Sequence, residues 1–238
     1  MEQAPLKSDA AKYVGNELDI FADAQNWKSY WAEILFPFVT GDVLEVGAGL
    51  GANTSRLFNP RVRSIYCLEP DPALAARLRE TVRNLPATVA VGTIDDVSHQ
   101  QFDSILYIDV LEHIDDDKSE LAKAARLLRR GGNVVVLAPA LESLFSPFDR
   151  AIGHYRRYDK RSLKSCSPPF CRLERMQYLD TVGLLASVAN RIILNQSQPA
   201  RSQIHFWDRC MIPCSRVLDR LFAYQLGKSI VAVWVREE

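Results

Sequence analysis

Neither sign of charge is in surplus in this chain of 238 residues: Lys and Arg number 29, Asp and Glu 29. That balance argues against a general nucleic-acid binder, which carries a basic excess. No apolar run is long enough to span a bilayer. The longest, 182–194, is broken by Asn190 and Arg191, and it falls short of the roughly 20 residues a spanning helix needs. Residues 1–19 lack the apolar stretch of a secretory leader, so a cytoplasmic protein without a membrane span is expected. Cysteine is scarce: five residues, odd in number and without C-x-x-C spacing. Reduced thiols are expected, and no zinc site is assigned to them. Repeats and low-complexity segments are absent. What is present is an ordinary hydrophobic share of 47%, ample for the core of one large α/β domain.

The stretch Val43-Leu44-Glu45-Val46-Gly47-Ala48-Gly49-Leu50-Gly51-Ala52-Asn53-Thr54 is the centre of the chain. It reads as a short buried strand, a turn with glycines at alternate positions, and a helix start. Missing β-carbons let backbone approach a ligand, and a helix N-terminus offers free N–H groups. Two ligand classes use such a turn, dinucleotides and S-adenosylmethionine. Gly47, Gly49 and Ala52 also satisfy G-x-G-x-x-G/A, so the glycines alone do not decide. Glu45 is the stronger signal. A carboxylate there repels a pyrophosphate but organises the cationic amino end of a methionine, directly or through water.

Strands and helices then alternate. A helix is expected over 24–38, with Trp27, Tyr30, Trp31, Leu35 and Phe38 at mostly three- and four-residue spacing. Those aromatics are core, with Tyr30 the candidate to close over a ligand. Strands are expected over 64–68, 87–92, 102–108 and 133–138. Helices are expected over 73–85 and from Asp115-Asp116-Asp117 through Arg129 and Arg130, with Gly131 as terminator. Glu69 ends the second strand about twenty residues beyond the glycine turn, where a carboxylate can accept both hydroxyls of a ribose. Asp71 reads as a helix cap. Five alternations make a parallel, doubly wound sheet, and ligands bind outside the C-terminal strand ends. Glu45, Glu69, Thr93 and Asp109 all fall at such ends.

The strand, Glu45 and the glycine turn together resemble the first motif of class I S-adenosylmethionine-dependent methyltransferases. Asp109-Val110-Leu111-Glu112-His113-Ile114 resembles the motif after the fourth strand in their type-11-like branch. The resemblance covers 43–138 with specific motifs and 139–238 more loosely. It implies a Rossmann-like seven-stranded sheet, mostly parallel, with an antiparallel last strand (229–235) after a sixth over 171–179. It implies S-adenosylmethionine as cofactor, held by Glu45, Gly47, Ala48, Gly49, Gly51, Asn53, Glu69, Pro70, Thr93, Ile94, Asp109 and Val110. Asp109 is implied beside the methionine part. Residues flanking the adenine fall at Thr93, where many relatives have an acid.

The loop 139–163 includes Asp149-Arg150-Ala151-Ile152-Gly153-His154-Tyr155-Arg156-Arg157-Tyr158 and borders the acceptor side. It resembles a signature of bacterial methyltransferases often placed near glycan and polyketide pathways. His154 is the first candidate base and His113 the second. Arg156 and Arg157 are candidate ligands for a carboxylate or phosphate; the alternative is that they bond helix carboxylates and hold the loop down. Asp109-x-x-Glu112-His113 with a later His154 resembles divalent-metal sites in ubiquinone-biosynthesis O-methyltransferases and small-RNA 2′-O-methyltransferases. Only two carboxylates are offered, so no metal is assigned.

The expected organisation is an N-terminal helical segment (1–41), a cofactor-binding core (42–180), a helical cap or insertion (181–227) and a last strand (228–238). Within the cap, a helix over 181–194, a polar turn over 195–202 and an amphipathic helix over 204–223 are expected. The cap exceeds a plain connection and forms a lid or a homodimer surface. The expected activity is methylation of a small-molecule acceptor, at oxygen ahead of nitrogen, carbon or sulfur. An anionic or glycan-linked acceptor is the finer inference. A nicotinamide oxidoreductase and a non-catalytic binding protein are the rivals from other classes.

Overall fold

A computed structural model describes residue 18 and residues 21–193 and 200–237. Seven strands form one sheet: β1 (Gly41–Val46), β2 (Val62–Glu69), β3 (Ala87–Val91), β4 (Phe102–Ile108), β5 (Leu128–Pro139), β6 (Cys171–Leu179) and β7 (Ser229–Arg236). Their order is β3-β2-β1-β4-β5-β7-β6. β1 pairs in parallel with β2 and β4, β2 with β3, and β4 with β5. β7 runs antiparallel between β5 and β6. The expected mostly parallel sheet with an antiparallel last strand is present. The central strands are buried on both faces, which explains their unbroken Val, Leu and Ile. In β5, Val134 to Ala138 are all fully buried.

Helices cover both faces: α1 (Gln25–Leu35), α2 (Thr54–Leu57), α3 (Pro72–Val82) and α4 (Asp117–Leu127) in the first half. Trp27, Tyr30, Trp31 and Leu35 of α1 are buried as their spacing required. Asp71 caps α3 by accepting from the N–H groups of Ala73 and Leu74. α5 (Pro147–Ala151) and α6 (Lys160–Ser165) are short helices in the loop between β5 and β6.

α4 ends earlier than the sequence pattern suggested. Leu128 already pairs with Phe102, so Arg129 and Arg130 belong to β5. The cause is a charge cluster at the N-terminal edge of the sheet. Arg129 donates to Asp42 and Asp103, at 3.1 and 2.8 Å, and holds the chain extended there. Gly131 sits at φ +76 where the register shifts.

The cap is α7 (Thr181–Ile193), α8 (Arg201–Phe206), a five-residue π-helical segment (Trp207–Met211) and α9 (Ile212–Leu221). The polar turn expected over 195–202 lies mostly outside the described residues. The single helix expected over 204–223 is instead broken at the π segment. There Asp208 turns inward and accepts from the N–H groups of Asn26 and Trp27, capping α1 from outside it. Asp219 of α9 is fully buried and accepts from the Tyr30 hydroxyl and the N–H groups of Asp180 and Thr181. Asp180, at φ +68, accepts in turn from Gly183 N–H, Ser215 Oγ and Trp207 Nε1. No described helix is long and apolar enough to cross a membrane.

Asp219→Ala removes the acceptor for three buried donors. The expected loss is roughly 3 kcal/mol of unfolding free energy, because an unsatisfied buried donor keeps its desolvation cost. A denaturant titration monitored by tryptophan fluorescence measures it.

Candidate functional site

Register builds the cradle. Val46 pairs with Leu68 and with Tyr107, so Gly47 comes level with Glu69 and Ile108, one residue before Asp109. This is where the strand order reverses between β1 and β4, the usual position for a ligand crevice. Gly47, Gly49 and Gly51 have φ of +67, +56 and +77, backbone that side chains disfavour. A β-carbon at Gly47 would lie 2.7 Å from Val110 and at Gly51 2.6 Å from Leu78. At Gly49 it would meet only Leu18, at 3.6 Å. Packing therefore demands the outer two glycines, while a side chain at Gly49 would meet only ordinary van der Waals contact.

Two buried acids hold the turn. Glu45 Oε2 accepts from Thr54 Oγ1 at 2.6 Å and from the Cys67 thiol. Burial pushes the Glu45 carboxyl up to about 7 against both bonds. Glu45 thus lies beneath the turn, joining β1 to α2, and not at an open ligand edge as its position suggested. Glu69 Oε2 accepts from Gly49 N–H at 2.8 Å, and Oε1 from Asp71 N–H at 2.9 Å. Burial raises Glu69, opposed by those two donors. Each oxygen retains a further lone pair for a hydroxyl.

Asp109 ends β4 at φ +55. Its side chain is open to solvent, yet protein surrounds it, and that enclosure raises its carboxyl to about 6 against the charges of His154 and Lys28. An accessible acid inside a protein-lined recess is poised for a cation. The Gly49 turn, Glu69 and recessed Asp109 thus lie together at the strand reversal. Ala48 and Ile94 are buried, while Asn53, Pro70 and Val110 are half-buried around this turn. Thr93 is exposed, and its N–H donates to Asp96 Oδ2 at 2.8 Å, closing a capping box.

Beside Asp109 lies an acid–imidazole cluster. The His154 and His113 rings meet edge-on with centroids 4.5 Å apart. His154 Nδ1 is 3.0 Å from Asp149 Oδ1, and its Nε2 is 3.9 Å from Glu112 Oε1. Burial raises Asp149, but His154, Arg157 and Ser146 outweigh it and hold the carboxyl well below the usual range. A carboxylate on Nδ1 places the proton of the neutral ring there and leaves Nε2 as acceptor. His113 is pushed down to about 4 by burial and by His154, so it is neutral at physiological pH. Glu112 is raised well above the ordinary carboxyl range by burial and by Asp109. Its Oε2 is buried with no partner among the described residues. Ligand atoms of Glu112, His113 and His154 lie within 4.8 Å of one another.

Three sequence candidates are engaged elsewhere. Tyr30 is 2% exposed, with its hydroxyl 2.7 Å from Asp219; it is a core residue tied to the cap and no lid. Arg157 donates to both oxygens of Asp149 at 2.9 Å. Arg156 pairs with Asp117 at 2.9 Å and bonds the Ile114 carbonyl. It lines a groove of about 410 Å³ with Asp115, Tyr158 and Cys166, apart from Glu69, Asp109 and His154. Both guanidiniums hold the loop down, Arg157 also bonds the Asp149 that holds His154, and both are engaged by carboxylates.

The sequence reading missed Asp149, Lys28 and Lys228. Lys28 is buried, donates to the Ala22 carbonyl at 2.7 Å, and burial lowers it to about 8. Lys228 is half-buried, its ammonium 6.0 Å from the Trp207 ring, and burial lowers its pKa. The signal for Asp149 was available: it stands five residues before His154, within reach of one turn of loop.

A glycine cradle at the strand reversal, two acids at strand ends and an antiparallel last strand are the features that the first-motif resemblance implied. Residues 44–136 match the methyltransferase domain family Methyltransf_11. A mitochondrial ubiquinone biosynthesis O-methyltransferase from Dictyostelium discoideum is 25% identical over 139 residues, 52% of this chain and 42% of that protein. The chain thus spans less than half of that relative. Phosphoethanolamine N-methyltransferase 2 from Haemonchus contortus, solved with S-adenosyl-L-methionine, superposes with a TM-score of 0.61 at 15% identity. That match covers 94% of this chain and 58% of the other. The N-methyltransferase NodS from Bradyrhizobium japonicum WM9 gives 0.55 at 14%, covering 94% and 98%. At these identities the structural likeness is one of fold.

The depressed His113 sets a pH dependence. As pH falls from 6.5 to about 4, the unfolded chain binds a proton at this residue that the folded chain refuses, so stability is lost across that window. Asp109 acts oppositely between 3.8 and about 6, since its folded form keeps a proton longer. His113→Asn is therefore expected to lose less stability than the native chain between pH 6.5 and 4.5, by roughly 1–3 kcal/mol. Chemical denaturation across that range measures the difference.

Proposed function

We propose that the chain methylates an oxygen of a small-molecule acceptor, with His154 as the base. The observation that carries this reading is the Asp149–His154 pair, which holds the ring through Nδ1 and turns Nε2 toward Glu112. S-Adenosylmethionine supplies an already activated methyl group, so the protein's task is alignment and removal of the acceptor proton. Glu69 accepts the ribose hydroxyls, the glycine turn lies along the ligand, Asp109 receives the ammonium, and Ile94 and Thr93 flank the base. Glu45 acts through the turn it anchors. His154 Nε2 takes the acceptor proton, and Asp149 stabilises the resulting imidazolium. The O-methyltransferase name of the curated relative supports oxygen as acceptor atom. Residues 42–180 then serve as the cofactor-binding core and 181–227 as the cap.

A second reading has its own observation. The unpartnered Glu112 Oε2 and two imidazoles within 4.8 Å form a donor set suited to a divalent transition ion. Such an ion would supply a Lewis acid for the acceptor hydroxyl. Titration with Co²⁺, read by its visible absorption, tests this: a spectrum lost in His113→Ala supports the site, and no spectrum removes it.

Calorimetry with S-adenosylhomocysteine is expected to show micromolar binding. Glu69→Ala should weaken it about 10- to 100-fold, the worth of one to two hydrogen bonds to a charged group; an unchanged affinity in a folded variant would falsify the ribose role. In an acceptor screen, His154→Gln should lower kcat roughly 10²- to 10⁴-fold with unchanged S-adenosylhomocysteine affinity. Retained kcat would remove the base assignment.

A further inference from the structure

The cap buries Leu184, Ile204 and Ile212 but leaves other large apolar side chains open to solvent. Across α9 the buried residues include Ser215 and Asp219, while Val217 and Leu221 are 67% and 73% exposed. This orientation is fixed. Ser215 Oγ accepts from Val182 N–H and donates to Asp180, and Asp219 takes three donors. Rotating the helix to hide Val217 and Leu221 would break all of those bonds. On α7, Leu185 and Val188 are exposed one turn apart at 61% and 40%, and Phe206 ends α8 at 61%. Among the described residues, seven of the ten large exposed hydrophobic side chains lie between Leu185 and Leu226. Apolar surface concentrated in this way marks an interaction site.

Charge narrows the partner. Residues 181–228 carry six Arg or Lys against two Asp, whereas the whole chain is neutral. Both acids, Asp208 and Asp219, are buried and bonded to α1, Tyr30 and the start of α7. Every exposed ionised side chain described in this stretch is therefore cationic, with Arg201, Arg209 and Arg220 open to solvent. A second copy of the chain would bring these like charges together across a two-fold axis. An anionic bilayer complements both features: apolar side chains enter the interface and arginines meet phosphate headgroups. We propose that the cap, through Leu185, Val188, Phe206, Val217 and Leu221 with Arg209 and Arg220, docks the protein peripherally on an anionic lipid surface.

Flotation with vesicles of phosphatidylglycerol and phosphatidylcholine, against phosphatidylcholine alone, tests this. The native chain should float with the mixed vesicles. Val217→Asp with Leu221→Asp should reduce the bound fraction at least about tenfold, since two side chains forfeit their apolar burial. Arg209→Gln with Arg220→Gln should reduce binding to the anionic vesicles only, and should decide the matter if the aspartate variant fails to fold. Calorimetry with S-adenosylhomocysteine on the same preparations reports the cofactor site separately, so the docking surface and the methyltransferase reading fail independently. Absence of flotation by the native chain overturns the proposal. So does a native dimer in sedimentation that the aspartate pair abolishes, which would make the occupant a second copy.

Discussion

The Glu69 carboxylate ties the site together. One oxygen accepts the Gly49 N–H and the other the Asp71 N–H, so a single planar group joins the turn after β1 to the turn after β2. Parallel pairing brings the two turns level, and this contact, with the Ala48 N–H on the Leu68 carbonyl, fixes the left-handed glycines against the strand end. Beneath them Glu45 binds Thr54 and joins β1 to the following helix. Both acids are buried and both are raised by that burial. Each offsets its desolvation through donors at a turn or a helix start, the N–H groups of Gly49 and Asp71 and the hydroxyl of Thr54.

The acceptor side follows a different logic. Asp109, Glu112, His113 and His154 crowd buried acids and imidazoles, and their charge states exclude one another. Burial keeps His113 neutral, and Asp109 and burial raise Glu112. Asp149 is held ionised by His154, Arg157 and Ser146. The shifts within this cluster thus oppose one another. Such opposed shifts within a few ångströms are characteristic of sites that move protons. Arg156 and Arg157, the most conspicuous cations of the loop, serve this arrangement from behind.

Local signals made most of the scaffold legible. Alternating apolar strands and helical periods gave the sheet, and β6 and the Asp71 cap follow directly from local chemistry. The glycine spacing and the acids at strand ends marked the cradle. The misread elements share a cause. Arg129 looked like the end of a helix until Asp42 and Asp103, distant in sequence, held it in a strand. Tyr30 looked available until Asp219, 189 positions away, took its hydroxyl. The stretch 204–223 looked like one amphipathic helix. It is interrupted at the π segment, and long-range bonds to Asp208, Ser215 and Asp219 set its orientation.

The sequence by itself determined the strand–turn–helix order and the sheet that this order builds. These depend on periodicity and on backbone freedom, which are properties of neighbours along the chain. Only the tertiary structure decided which charged groups face the crevice and which neutralise one another. Ionisable side chains have long reach and no periodicity, and their partners are set by packing between segments. That is why the buried carboxylates, the orientation of His154 and the outward apolar face of the cap came from the fold alone.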